Sequence, residues 1–107
     1  MKNFQDVPRY TYWPHQAQFR HIGHKAVFQL NATKKVNIKW YLLGKNSSYL
    51  PISAMHVTEI PITGGTGISS KLTLNNLKIN DTGSYFAVAK YRGGVKSESY
   101  TLLVFGE

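Results

Sequence analysis

The sequence predicts an all-β domain, and two observations support that prediction. Apolar and polar residues alternate over residues 71–77, and two further strand-like runs follow at 86–91 and 95–105. A period of two residues is what a strand with one buried face requires. Turn-forming residues separate the runs, as at Arg92-Gly93-Gly94 between the last two. Two such runs joined by a tight turn predict strands paired as a hairpin.

The first half of the chain predicts strands of two kinds. Residues 1–7 are a polar lead that we expect to be frayed. Residues 8–14 are bounded by prolines, which suits an edge strand because proline cannot donate to a central ladder, and residues 16–21 continue it on the opposite sheet. Two alternating strands follow, joined by a loop over residues 31–35. Their inward-facing residues are Ala26, Phe28 and Leu30 on the first, and Val36, Ile38 and Trp40 on the second.

The second half continues the pattern and leads to one distinctive motif. Residues 49–52 and 55–60 predict two short strands. The glycines of residues 63–67 predict a flexible turn, because the segment lacks the Gly-Lys-Ser/Thr ending of a phosphate-binding loop. The strand at 71–77 then runs into Asn80-Asp81-Thr82-Gly83-Ser84-Tyr85-Phe86-Ala87, which contains an Asp-x-Gly-x-Tyr motif.

This motif and its flanks resemble the corner between strands E and F of the immunoglobulin superfamily. The resemblance implies an immunoglobulin-like β-sandwich of variable or intermediate type, with two antiparallel sheets in a Greek key. In that corner Tyr85 buries its ring and its hydroxyl bonds back to the backbone near Asp81, while Gly83 takes a geometry that a side chain would resist. Trp40 takes the place of the buried tryptophan of strand C. Leu30 and Ala87 stand where the family has its two cysteines, so no disulfide joins the sheets.

Within the superfamily, the stretch 72–104 is most similar to the membrane-distal, variable-type domains of the SLAM and carcinoembryonic antigen families. The similarity rests on Leu-x-Leu-x-x-Leu-x-x-Asn-Asp-Thr-Gly-x-Tyr and on Ser99-Tyr100-Thr101-Leu102 before Val104. The spacing from Tyr85 to Val104 suits the intermediate-type domains of muscle and adhesion proteins equally well. The resemblance therefore implies either a receptor domain or a structural module.

Length and charge limit the function classes. A chain of 107 residues forms one domain with a single core. Its 13 Lys and Arg against 5 Asp and Glu give a net charge of +8, which concerns partners and solubility rather than fold. The basic residues are scattered rather than grouped with aromatic residues, which argues against nucleic acid. An acidic protein surface or an anionic glycan is the expected complement.

The sequence predicts no enzyme, cofactor or metal site. The chain has no cysteine, and its five carboxylates show no pairing pattern. His21 and His24 are three residues apart, but no third ligand accompanies them, so we interpret them as part of a solvated basic turn.

Three glycosylation sequons favour an extracellular location, at Asn31, Asn46 and Asn80, all expected in or near loops. The lack of cysteine is neutral, so a cytoplasmic location stays open. No apolar run of 18 residues and no signal peptide occur, so the expectation is a soluble ectodomain fragment without direct membrane insertion.

The outward side of strands G, F and C is the candidate binding surface. If Tyr85, Ala87 and Ala89 face the core, alternation turns their neighbours outward, where an apolar patch with a lysine rim predicts a protein partner. That partner is expected to be another immunoglobulin-like domain or a second copy, and the function cell-surface recognition or adhesion. The alternative is an intermediate-type structural module of a cytoskeletal or muscle protein. The predicted face consists of Lys39, Tyr41, Tyr49, Phe86, Val88, Lys90, Thr101 and Leu103.

Overall fold

The computed structural model describes residues 10–12, 16–62 and 64–106, and most of these residues belong to strands. The expected frayed lead at 1–7 and the prolines at both ends of the first predicted strand lie outside the described residues. No helix within the described ranges is long and apolar enough to span a membrane. The strands are β1 (Tyr10–Tyr12), β2 (Ala17–His21), β3 (Ala26–Ala32), β4 (Asn37–Leu43), β5 (Tyr49–Pro51), β6 (Val57–Pro61), β7 (Ile68–Leu74), β8 (Gly83–Tyr91) and β9 (Gly94–Phe105).

The strands form two sheets, which confirms the predicted all-β sandwich. One sheet has the order β1-β3-β7-β6 and the other β2-β9-β8-β4-β5. These correspond to strands A, B, E and D on one side and G, F and C on the other, the arrangement of an immunoglobulin domain. The chain changes sheets between β1 and β2, and β2 pairs in parallel with β9.

The number of strands distinguishes between the two types of domain that the sequence left open. Variable domains add two strands next to strand C. Here only β5 pairs with β4, and the chain then passes through a turn of 3-10 helix at Ala54–His56 to β6 in the opposite sheet. The described chain therefore has the intermediate arrangement.

The core lies between the sheets and follows the alternation predicted for β3, β4 and β8. Leu30 and Ala87, at the two cysteine positions, are both fully buried, and so is Trp40. Phe28 contacts Tyr100 at a ring-centroid distance of 5.0 Å, and Tyr100 contacts Trp40 at 5.2 Å. Tyr100 is thus at the centre of the core, although the sequence analysis used it only as part of a motif.

Between described residues, side-chain hydrogen bonds from Trp40, Tyr100 and Gln18 connect the two sheets, which no disulfide joins. The indole N–H of Trp40 on β4 donates to Ser70 Oγ on β7 at 2.9 Å. The other two reach backbone carbonyls of β3: Tyr100 donates to Gln29 O at 3.1 Å, and Gln18 Nε2 donates to Val27 O at 2.7 Å. Buried polar groups need such partners, and these also fix the relative position of the sheets.

The predicted tyrosine corner is present, but Gly83 serves a different purpose there. The hydroxyl of Tyr85 donates to Asp81 O, and the Asp81 carboxylate accepts from the Lys78 N–H at 2.8 Å. Gly83 is not among the residues with positive φ, so the expected special backbone geometry is wrong. A Cβ at this position would lie 3.3 Å from Leu42 Cδ1. A side chain at Gly83 would therefore crowd Leu42 of β4.

Three predicted boundaries are also corrected. Asn31 and Ala32 belong to β3 rather than to the following loop, because Ala32 is buried and continues the alternation. Met55 lies in the 3-10 turn, so β6 begins at Val57. The strand predicted at 71–77 is β7, which begins at Ile68 and ends at Leu74. Leu77 follows the strand but is still buried.

Candidate functional site

The candidate site lies on the outer face of the five-stranded sheet, which we define by the outward residues of β4, β8 and β9. Tyr85, Ala87 and Ala89 are buried in the core. Because side chains alternate along a strand, Phe86 and Val88 point to the opposite side, where both are half-buried by their neighbours.

Cross-strand pairing brings the aromatic residues of this face together. Tyr41 lies directly opposite Phe86, and the ring of Tyr49 on β5 meets Phe86 edge-on with centroids 5.2 Å apart. Such edge-to-face contacts are favourable because the positive ring edge meets the negative ring face. These residues line an open groove of about 450 Å³, which we call the aromatic groove. Its lining is Tyr41, Tyr49, Phe86, Val88, Val95 and Ser97.

Thr101 and Leu103 of the predicted face lie apart from the aromatic groove. Phe86 pairs with Ser99, and the next outward row along the strands is Ser84 opposite Thr101. That polar row separates the groove from Leu103, which instead lies beside Phe19 of β2. The predicted apolar patch is therefore divided into two areas.

Among the described residues, five exposed apolar residues of this sheet were not part of the predicted face: Phe19, Leu43, Leu50, Val95 and Phe105. Val95 lines the groove and is 59% exposed, and Phe19 is 62% exposed beside Leu103. Val95 lies directly opposite Lys90 across the hairpin. Extending the alternation of β8 to its hairpin partner would have identified it.

The charge of the outer face has a single sign. Among the outward residues of β4, β8 and β9, all of which the structure describes, Lys39 and Lys90 are the charged ones. Lys39 lies opposite Val88 and Lys90 opposite Val95. The aromatic groove therefore has a lysine rim without a carboxylate.

The predicted glycosylation residues fall into two structural settings. Asn46 is exposed in a turn, and Asn80 is exposed in the short 3-10 helix Ile79–Asp81 between β7 and β8. Asn31 is half-buried in β3, where its side-chain oxygen accepts from Gln29 Nε2 at 3.2 Å, so its predicted loop location is wrong.

His21 and His24 have ring centroids 5.8 Å apart. Over the described ranges, no group of three or more metal-ligating side chains occurs.

No protein-family model matches the chain, and no match was found among curated proteins. Solved structures do match it. The N-terminal eight immunoglobulin domains of Down Syndrome Cell Adhesion Molecule align with a TM-score of 0.78 and 24% identity over 94% of this chain and 13% of that one. Titin domains Z1Z2 in complex with telethonin align with a TM-score of 0.70 and 23% identity, over 94% of this chain and 48% of that one. The first immunoglobulin domain of RIG-5, solved as a homodimer, aligns with a TM-score of 0.69 and 13% identity, over 92% of this chain and 98% of that one.

These similarities concern the fold. All three identities are below one quarter, and the matched proteins include an adhesion molecule as well as titin. Neither the SLAM nor the carcinoembryonic antigen family is singled out among them. Together with the sheet order, they establish that the chain has the immunoglobulin fold.

Proposed function

We propose that this domain is a recognition module that binds another protein through the aromatic groove. The observation that supports the proposal is the grouping of Tyr41, Tyr49 and Phe86 on the outside of a sheet whose inner side already supplies the core. Tyr49 and Val95 are 58% and 59% exposed. Exposed apolar groups of this kind mark interaction sites, and aromatic residues are the most effective anchors in protein interfaces.

Charge indicates which partner suits the groove. If two copies of this domain met face to face, Lys39 and Lys90 of each would approach like charges, because the outer face supplies no carboxylate. Like-charge contacts across an interface cost affinity, whereas a complementary surface steers the encounter. The expected partner is therefore a different immunoglobulin-like domain with an apolar centre and an acidic rim. The RIG-5 homodimer supports pairing between immunoglobulin domains in general.

The proposed location is the cell surface. Asn46 and Asn80 are exposed and lie outside the strands, where a glycan can be attached without disturbing the sheets. Expression in a secretory cell line followed by enzymatic deglycosylation tests this directly. A mass change that Asn46→Gln and Asn80→Gln together abolish supports the proposal, and an unmodified secreted chain contradicts it.

Binding is tested with fluorescent tetramers of the domain on intact cells. We expect staining that is lost after trypsin treatment of the cells and reduced at least tenfold by Phe86→Ala, because a buried aromatic anchor contributes about 2 kcal/mol or more. Ile60→Ala is the control, since Ile60 is also a large apolar residue at the surface, 57% exposed, but lies on β6 of the other sheet.

The alternative function, a structural module that spaces its neighbours, predicts a different outcome. Wild-type tetramers would then stain no cell type in a broad panel, or Phe86→Ala and Ile60→Ala would stain equally. Sedimentation of the free domain provides a second check. A dimer that Phe86→Ala dissociates would show that the groove binds a second copy, contrary to the charge argument.

A further inference from the structure

A second feature of the molecule lies where the turn between β2 and β3 meets the segment that follows β7. Two backbone hydrogen bonds join them: Gly23 N–H donates to Leu77 O at 2.8 Å, and Leu77 N–H donates to His24 O at 3.0 Å. Gly23 and Asn76 both have positive φ, 87° and 48°, which turns the two segments sharply. Between them lies an open cleft of about 630 Å³. We call it the basic cleft, and its lining is Arg20, Gly23, His24, Lys25, Asn75 and Asn76.

The lining supplies hydrogen-bond donors and positive charge. Arg20 and Lys25 are cationic, His24 adds an imidazole, and the two asparagines add side-chain amides, while no carboxylate is present. One guanidinium N–H of Arg20 donates to Phe19 O at 3.0 Å, and the guanidinium has five N–H donors in all. Arginine binds sulfate and phosphate oxygens through paired hydrogen bonds, and lysine adds a point charge.

We propose that the basic cleft binds the sulfate groups of a sulfated glycan. A cleft of this volume exceeds a single oxyanion and has room for sugar units whose hydroxyls the amides of Asn75 and Asn76 can bind. Nucleic acid is the other polyanion to consider. Single-stranded binding sites combine charge with aromatic side chains on which bases stack, and His24 is the only ring in the lining of this described cleft.

The basic cleft and the aromatic groove are separate sites. Arg20 pairs with Val104, near the end of β9, whereas Val95 of the groove lies at the beginning of that strand. The glycan proposal therefore does not depend on the proposed protein partner, and each can fail without the other.

The test uses the intact domain and heparin, a sulfated glycan, as the probe. We expect the double variant Arg20→Gln/Lys25→Gln to bind immobilised heparin at least tenfold more weakly and to elute at clearly lower NaCl concentration. The matched control is Lys45→Gln/Lys71→Gln, which removes the same two charges from exposed positions outside the cleft and should lose less than threefold. Equal losses in the two variants would show diffuse charge attraction and overturn the proposal. Thermal melts confirm that both variants are folded.

Competition assigns the ligand class. Desulfated heparin of the same length should compete at least tenfold more weakly than heparin, and so should a single-stranded oligonucleotide. An oligonucleotide that competes equally well would assign the cleft to nucleic acid and refute the glycan proposal. If inorganic sulfate saturated the cleft and heparin did not bind, the cleft would be a site for small anions, and the glycan proposal would also be refuted.

Discussion

The hydrogen bond between Trp40 and Ser70 offers a direct test of how the sheets are held together without a disulfide. It joins β4 of one sheet to β7 of the other at 2.9 Å, and both residues are buried, Trp40 at 1% and Ser70 at 0% exposure. The test is a double-mutant cycle of Ser70→Ala, Trp40→Phe and the combined variant. The cycle isolates the coupling between the two side chains from their separate contributions.

The expected magnitudes follow from burial. Ser70→Ala leaves a buried indole N–H without its acceptor, which should cost about 1–3 kcal/mol. Trp40→Phe removes part of the packed indole, and we expect about 2 kcal/mol, roughly half of what deletion of the whole side chain to alanine costs. The double variant leaves neither polar group unpaired, so its loss should be smaller than the sum by about 1 kcal/mol. A small domain has a total stability of about 5–15 kcal/mol, so all variants should fold.

The measurement is urea unfolding followed by circular dichroism, with the denaturant slope checked for constancy. Ser99→Ala serves as the control, because Ser99 is exposed on β9, and it should change stability by less than about 0.5 kcal/mol. Losses that add within about 0.5 kcal/mol would refute the coupling. The sheets would then be held by apolar packing alone.

Three further predictions concern the tyrosine corner. Tyr85→Phe should cost about 1 kcal/mol at neutral pH through the lost bond to Asp81 O, measured by urea unfolding. Burial, with a smaller contribution from the Asp81 carboxylate, raises the pKa of Tyr85 from 10.0 to about 12. The unfolded chain therefore loses the Tyr85 hydroxyl proton at a lower pH than the folded chain. The contribution of Tyr85 to the free energy of unfolding is complete below pH 10 and falls by up to about 1.4 kcal/mol per pH unit as the pH rises toward 12. A Tyr85→Phe variant whose stability falls with the same slope over this pH range would contradict this assignment. Gly83→Ala should lower the free energy of unfolding by about 1 kcal/mol. Crowding of the new Cβ against Leu42 costs about 1–3 kcal/mol, which exceeds the gain of about 0.4–1 kcal/mol from a less flexible unfolded chain. An unchanged thermal midpoint would show that Leu42 moves aside freely.

The sequence predicted the sandwich because its strongest signals are local. The Asp-x-Gly-x-Tyr motif specifies a corner within a few residues, and counting outward from it places β7, β8 and β9. Alternation then assigns the inner and outer sides of β3, β4 and β8. Ser70 was missed because the predicted strand began at Lys71, whereas β7 begins at Ile68 and the Ser70 hydroxyl is buried as the acceptor for Trp40.

The candidate site was predicted only in part, for a physical reason. Alternation within one strand shows which side a residue faces, but its neighbours across the sheet depend on the register between strands. Leu103 and Phe86 both face outward, yet the register places the Ser84–Thr101 row between them. Likewise, the basic cleft depends on contacts between residues 23–24 and Leu77, which are more than 50 positions apart, and no local pattern shows that proximity.

The arrangement of the molecule allows stability and binding to vary independently. The hydrogen bonds that join the sheets use inward side chains such as Trp40 and Tyr100, whereas the aromatic groove uses outward residues of the same strands. Substitution of Phe86 thus removes an anchor from the surface without opening a cavity beside Trp40. The basic cleft lies at the other end of β9, beyond direct contact with the groove. The free-energy changes caused by substitutions in the cleft should therefore add to those caused by substitutions in the groove. The proposed protein partner at the sheet face and the proposed glycan at the end of the domain are therefore compatible, because the residues that line the two sites do not overlap.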